Sequence, residues 1–170
     1  MVTHKTWEKN LLIKYLCPRD FRRGEMEEIM IEFAQVEDKE DIYNLICILE
    51  NKKINKEHFD YVFENALKNE DVIFLVYRNE KVDGFMGFKI HHYLHHSKDT
   101  GEIVELVVVP AKRGMHIGSQ LIQKIEEIAS LKNIEQIEIS TSTYRMDAHR
   151  FYESHGYIKL HYNYTKDINY

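Results

Sequence analysis

Three groups of residues in this 170-residue chain are spaced so that they could do chemistry. The first is the run Val107-Val108-Val109-Pro110-Ala111-Lys112-Arg113-Gly114-Met115-His116-Ile117-Gly118-Ser119-Gln120-Leu121. An apolar, β-branched stretch is stopped by a proline, and a short basic loop with glycines then opens an amphipathic stretch. Such a loop turns several backbone N–H groups and the positive end of a helix toward one point, which makes an anion site built mostly of backbone. The second group is acid–base: Glu102 and Glu105 just upstream, and Tyr152 downstream. A carboxylate can take a proton, and a phenol of ordinary pKa ~10 can donate one or hydrogen-bond an anion. In a regular strand Glu102 and Glu105 point to opposite faces because their spacing is odd, so one of them serves a given side, with a slight preference for Glu102. The third group is the histidine run His91, His92, His95 and His96, joined by His149, Arg145 and Arg150. These could supply a base near neutral pH, hold an anion or ligate a metal.

Each group also has a plain structural reading. The loop could be an ordinary tight turn, Tyr152 a core aromatic beside Phe151, the glutamates solvated strand carboxylates, and the histidines a polar strand end. The elements that carry them decide how much weight chemistry deserves. Residues 31–36 alternate as a short strand. Glu37 and Asp38 cap a helix whose apolar residues Ile42, Leu45, Ile46 and Leu49 keep helical spacing. Asn55 caps a second helix through Lys68, with Phe59, Val62, Phe63, Ala66 and Leu67 on one face. Residues 72–77 form a well-covered strand, and 82–92 return as its hairpin partner. In that partner Gly84 and Gly87 allow a bend or a close backbone approach. A strand at 102–109, a helix at 115–132, a strand at 134–140, a short helix at 147–154 and a last alternating strand at 157–165 complete the order βααβββαβαβ. On a regular strand end, His91 and His95 share one face and His92 and His96 the other.

Composition narrows the classes of function. The chain is 44% hydrophobic and 30% charged, with a net charge of −5, which disfavours nucleic acid or an acidic membrane as principal partner. No apolar run approaches the ~20 residues needed to span a bilayer, and the N-terminal apolar residues Leu11-Leu12-Ile13 are interrupted at once by Lys14. Cys17 and Cys47 fit no metal or redox spacing and read as free thiols. The expectation is a cytoplasmic protein. Residues 1–28 differ from the rest: they read as a terminal extension with a short amphipathic helix at 7–16, ahead of one domain at 29–170. Arg22-Arg23-Gly24-Glu25 reads like a translated purine-rich ribosome-binding stretch, which offers Met26 or Met30 as an alternative start.

The two glycine- and aromatic-bearing stretches together resemble the GNAT superfamily of acetyl-CoA-dependent N-acetyltransferases. Arg113 and Gly118 match its loop motif, and Phe151, Tyr152, Glu153, Gly156 and Tyr157 match its second signature. The first loop glycine of that motif is His116 here. If the backbone needs positive φ at that point, histidine is among the better tolerated non-glycine residues, at some cost. The resemblance implies the GNAT fold, an α/β (α+β) architecture with a mixed, mostly antiparallel central sheet and helices on both faces. It implies acetyl-CoA bound by Val107, Val108 and Val109 along its pantetheine arm and by Arg113, Gly114, Met115, His116, Ile117, Gly118 and Ser119 at its diphosphate, with Tyr152 beside the thioester sulfur. It also implies direct attack of an amine, with a glutamate of the fourth strand as base, a backbone N–H of that strand at the oxyanion and Tyr152 as acid.

Within GNAT, Leu45-Ile46-Cys47, Leu94-His95-His96, Gly101-Glu102-Ile103 and Asp147-Ala148-His149-Arg150-Phe151-Tyr152 look like the aminoalkylphosphonate N-acetyltransferases. That likeness implies a small anionic amine as acceptor, held by His95, His96, His149 and Arg145, and a divalent metal in activity, with its ligands unassigned. The alternatives are another amine (an aminoglycoside, a polyamine or a protein), the polycationic ones calling for an acidic pocket, or a catalytically silent acetyl-CoA sensor. A homodimer is compatible with the sequence but not specified by it.

Overall fold

The computed structural model describes residues 30–168. The expected helix at 7–16, Cys17 and the alternative start at Met26 lie outside the described residues. The elements are β1 (Ile31–Phe33), a 3-10 turn (Val36–Asp38), α1 (Lys39–Glu50), α2 (Lys56–Ala66), β2 (Val72–Asn79), β3 (Lys81–His91), β4 (Thr100–Val108), a second 3-10 turn (Pro110–Lys112), α3 (Ile117–Leu131), β5 (Gln136–Ile139) and α4 (Met146–Ser154). The sheet runs β1-β2-β3-β4-β5, antiparallel throughout except for the parallel β4–β5 pair. This is the mixed α/β architecture that the sequence reading expects.

Period-two alternation in the strands sends neighbouring residues to opposite faces. Leu75, Met86, Phe88 and Ile103 pack with Leu121, Ile122, Ile125 and Ile128 of α3. Val76, Phe85 and Val107 pack with Ile42 and Leu45 of α1 and Phe63 of α2. The helix starts follow local chemistry. Asn55 accepts a hydrogen bond from the His58 N–H at 2.8 Å and caps α2. Asp38 does not cap α1 with its side chain. Its carboxylate instead accepts from the Gln35 N–H at 2.8 Å and from Arg78 at 2.7 Å, and so closes the preceding turn while almost wholly buried.

Three expectations are corrected. First, β4 is not regular. Gly87 pairs with Glu105 and Phe88 with Ile103, which leaves Val104 without a partner. A one-residue bulge shifts the alternation downstream of it. Glu102 and Glu105 therefore face the same side as Val107, while Ile103, Leu106 and Val108 face α3. Second, β3 ends at His91, so the remaining histidines lie on the loop to β4 rather than alternating on a strand. Third, residues 157–165 form no strand among the described residues. Ile158, Leu160, Tyr162 and Tyr164 are exposed: their alternation favours a strand, but a strand exists only with a paired edge. No described helix is long and apolar enough to cross a membrane.

Candidate active site

Proline, glycine and an unusual histidine shape the loop after β4. Pro110 opens the 3-10 turn, as its fixed φ favours. Gly114 follows with φ +81° and His116 with φ +60° and ψ 11°, so two left-handed residues flank Met115. The position held by His116 does need positive φ, and a side chain there costs on the order of 1–2 kcal/mol. The result is a concave backbone turn at the start of α3. The N–H groups of Ile117, Gly118 and Ser119 have no backbone acceptor among the described residues, and the first such bond of the helix runs from Gln120 to the His116 carbonyl at 3.0 Å. Arg113 donates through Nε to the Val108 carbonyl at 3.3 Å. Free helix-end amides, a basic side chain and no acidic residue in the first turn fit a diphosphate.

Upstream of the loop, β5 pairs with β4 only over Thr100–Ile103. The β5-facing backbone edge of β4 beyond that point has no strand partner among the described residues, so Val107 and Val108 lie beside an open edge that an extended ligand could join. The N–H of Val109 is already committed to the Asp83 carbonyl at 2.8 Å.

The bulge brings the acids together. Glu105 sits at the end of a cavity of about 260 Å³ between α1, α2 and the sheet. Burial pushes its carboxyl up to about 7, and the negative charges of Glu102 and Glu50 add to the shift. Gly87, opposite it on β3, leaves the room its carboxyl uses: a Cβ there would overlap Glu105 Oε2. Glu102 points the same way but shares a hydrogen bond with His91 Nε2 at 2.9 Å. Glu50, at the end of α1, lies 3.7 Å from Arg145, which also donates to the Leu49 carbonyl at 3.2 Å. Tyr152 projects from α4 near Arg145. Its burial raises the phenol to about 12, against a smaller opposing effect of the Arg145 charge. Gly118 lets the Phe151 ring close on α3, where an added Cβ would sit 3.2 Å from the ring. The cradle and the Tyr152 helix are thereby packed against each other.

The histidines fall elsewhere. His91 pairs with Thr100 at the beginning of β4, and the cradle follows its end. At roughly 3.3 Å per residue these ends are on the order of 25 Å apart. His92 bridges Asp99 at 2.6 Å and Asp71 at 3.2 Å, and His96 bonds Glu135. His95 stacks with Tyr93 at 5.4 Å between ring centres. His149 bonds the Ser142 carbonyl at 2.9 Å and braces the loop before α4. No three His, Cys, Asp or Glu side chains among the described residues converge where an ion could bind, so this donor set does not fit a metal. Of the cations named from sequence, Arg145 is the one placed beside Glu50. Glu50 and Gly87 escaped the sequence reading as site residues. A glycine inside a covered strand was the available signal for Gly87; nothing local marks Glu50.

The fold and the cradle point to an acyltransferase, and similarity to known proteins agrees. Residues 39–157 match the Acetyltransferase (GNAT) family, and the chain belongs to that family as an N-acetyltransferase. A relative is the aminoalkylphosphonate N-acetyltransferase of Salmonella typhimurium (strain LT2), 38% identical over 148 residues, which cover 86% of this chain and 96% of that protein. Similar solved structures include a transcriptional regulator from Bacillus halodurans C-125 (TM-score 0.76, 23% identity, covering 83% of this chain and all of that one). Another is glucosamine-6-phosphate N-acetyltransferase from Arabidopsis thaliana (TM-score 0.69, 20% identity, 82% and 97% covered). At those identities the likeness speaks for the fold alone.

Proposed function

We propose that the protein transfers the acetyl group of acetyl-CoA to the primary amine of a small molecule, an aminoalkylphosphonate above all, in a ternary complex. The observation that carries the mechanism is Glu105, a half-buried acid near Glu102 and Glu50, just past the point where β4 and β5 part. Acetyl-CoA supplies the thioester. Val107 and Val108 offer backbone to its pantetheine arm, and Arg113, Gly114, Met115, His116, Ile117, Gly118 and Ser119 hold its diphosphate. Glu105 is the base. Raised to about 7, it is part ionised at neutral pH and can take the ammonium proton directly or through a water. The freed lone pair forms the N–C bond while a backbone N–H of β4 stabilises the oxyanion; as the C=O re-forms and the C–S bond breaks, the proton left on nitrogen passes to the departing sulfur, giving the amide and the free thiol. Tyr152, held protonated at about 12, donates a hydrogen bond to the departing thiolate rather than surrendering its proton outright. Glu102, tied to His91, supports Glu105 electrostatically.

The acceptor reading rests on the Salmonella relative and on Arg145, the cation at the mouth. His149 acts by bracing the loop that carries Arg145; His95 and His96 lie on the β3–β4 loop, at the other end of β4 from the cradle. A second reading is favoured by one specific observation: Glu50, Glu102 and Glu105 make the mouth acidic, which suits a polyamine. A screen of thiol release with 2-aminoethylphosphonate, polyamines, an aminoglycoside and peptides, with and without divalent metal, separates these. The expected outcome is highest kcat/KM with the aminoalkylphosphonate; turnover confined to polyamines overturns that acceptor. A homodimer belongs to the same proposal, supported by the exposed alternating Ile158, Leu160, Tyr162 and Tyr164. A solution mass twice the 20.4 kDa of the chain is the expected result.

A further inference from the structure

The cavity that ends at Glu105 is larger and more apolar than moving one proton requires. It holds about 260 Å³, and its walls include Ile46, Ile54, Phe59, Phe63 and Phe74. Phe59, Phe63, Phe74 and Phe85 form a continuous row of rings with centres 5.7, 5.6 and 5.3 Å apart. Polar groups are confined to Asn55 and His58, both exposed, and to the Glu105 carboxyl. The aromatic and aliphatic part of the wall offers water few hydrogen-bond partners, so an apolar group entering there is favoured.

We propose that this cavity is a side-chain subsite for the acceptor. The enzyme prefers primary amines carrying a phenyl-sized or branched aliphatic group next to the amine-bearing carbon. The amine lies at Glu105, and the apolar group lies between α1, α2 and the sheet. This rests on Glu105 as the acceptor's base and goes beyond it by naming the class of substituent. It makes the side chain of the acceptor, rather than its anionic group alone, a determinant of specificity.

The test measures thiol release by the full-length protein with matched pairs of amines. One pair is aminomethylphosphonate and 1-amino-2-phenylethylphosphonate; the other, without the anion, is ethylamine and 2-phenylethylamine. In any pair that turns over, the phenyl member is expected to have a kcat/KM on the order of tenfold higher. Val62→Trp, at a cavity-lining position that is 46% exposed and so replaceable without disturbing the core, and Ile46→Trp are expected to bring that ratio toward one. A wild-type ratio of one or below overturns the proposal, and so does a ratio that neither variant changes. The wild-type ratio decides even if Ile46→Trp does not fold. No thiol release with any amine overturns the acetyl-transfer reading and this subsite with it; turnover without phenyl preference overturns the subsite alone.

Discussion

Glu105 is a carboxyl group held where its ionised form is disfavoured, and stability and activity should therefore pull against each other at this residue. Its folded-state pKa of about 7 lies above the ordinary 4.5. The folded protein thus binds more protons than the unfolded chain between those values, and stability falls as pH rises from about 4.5 to about 7, then levels. The penalty above that range is on the order of 3 kcal/mol. Glu105→Gln is expected to raise the melting temperature at pH 8, to flatten that pH dependence, and to lower kcat/KM on the order of 10²-fold. Wild-type kcat/KM should rise with pH through about 7, and that inflection should vanish in the variant. A persisting inflection would assign it to another group. Tyr152→Phe leaves the half-buried ring in place and removes one hydrogen-bond donor. Its expected signature is a lower kcat with KM for acetyl-CoA little changed, read from initial rates; unchanged kcat would leave the thiolate without Tyr152.

At the scale of elements, the β4–α3 turn is a strained solution, and the strain is measurable. His116→Gly relieves a left-handed residue that carries a Cβ. Because glycine also loses more backbone entropy on folding, the net gain expected is about 1 kcal/mol, or a melting temperature about 2–4 °C higher. His116→Val, β-branched at the same φ, should move it the opposite way, and a fall with glycine would show that the histidine side chain makes a compensating contact. Most of this element pattern was legible in the sequence, for reasons visible in particular residues. The spacing of Ile117, Leu121, Ile125 and Ile128 announces α3, and Val72–Asn79 announces a covered strand. The bulge was harder. It is a one-residue event without a composition of its own, and its trace is indirect: Gly87 opposite Glu105, and Ile103 and Val107 apolar on what a regular strand would make the same face. Reading β4 as regular separated two glutamates that the fold brings together. The histidines misled for the converse reason, since their density suggests a site whereas three of them are held by carboxylates of neighbouring segments. Tyr157 onward shows that alternation names a strand without naming its partner.

Across the whole molecule, the two faces of the sheet are packed to different standards, and this matches a division of labour. On the α3 face Leu121, Ile125 and Ile128 are fully buried against Met86, Phe88 and Ile103. That face holds the cradle in place and has no room to vary. The α1–α2 face carries the cavity, so its side chains surround space instead of filling it. Truncation should then cost different amounts on the two faces. Ile125→Ala opens a hole in a closed core and should cost about 3 kcal/mol, lowering the melting temperature by roughly 6–12 °C. Ile46→Ala enlarges a cavity that already exists around a half-buried side chain, loses fewer contacts, and should cost less than half as much. Thermal unfolding of the two variants at a pH above 7, where Glu105 is ionised in both, checks the contrast. Equal losses would mean that the α1–α2 face is as tightly filled as the other, and that the cavity closes in solution when no ligand holds it open.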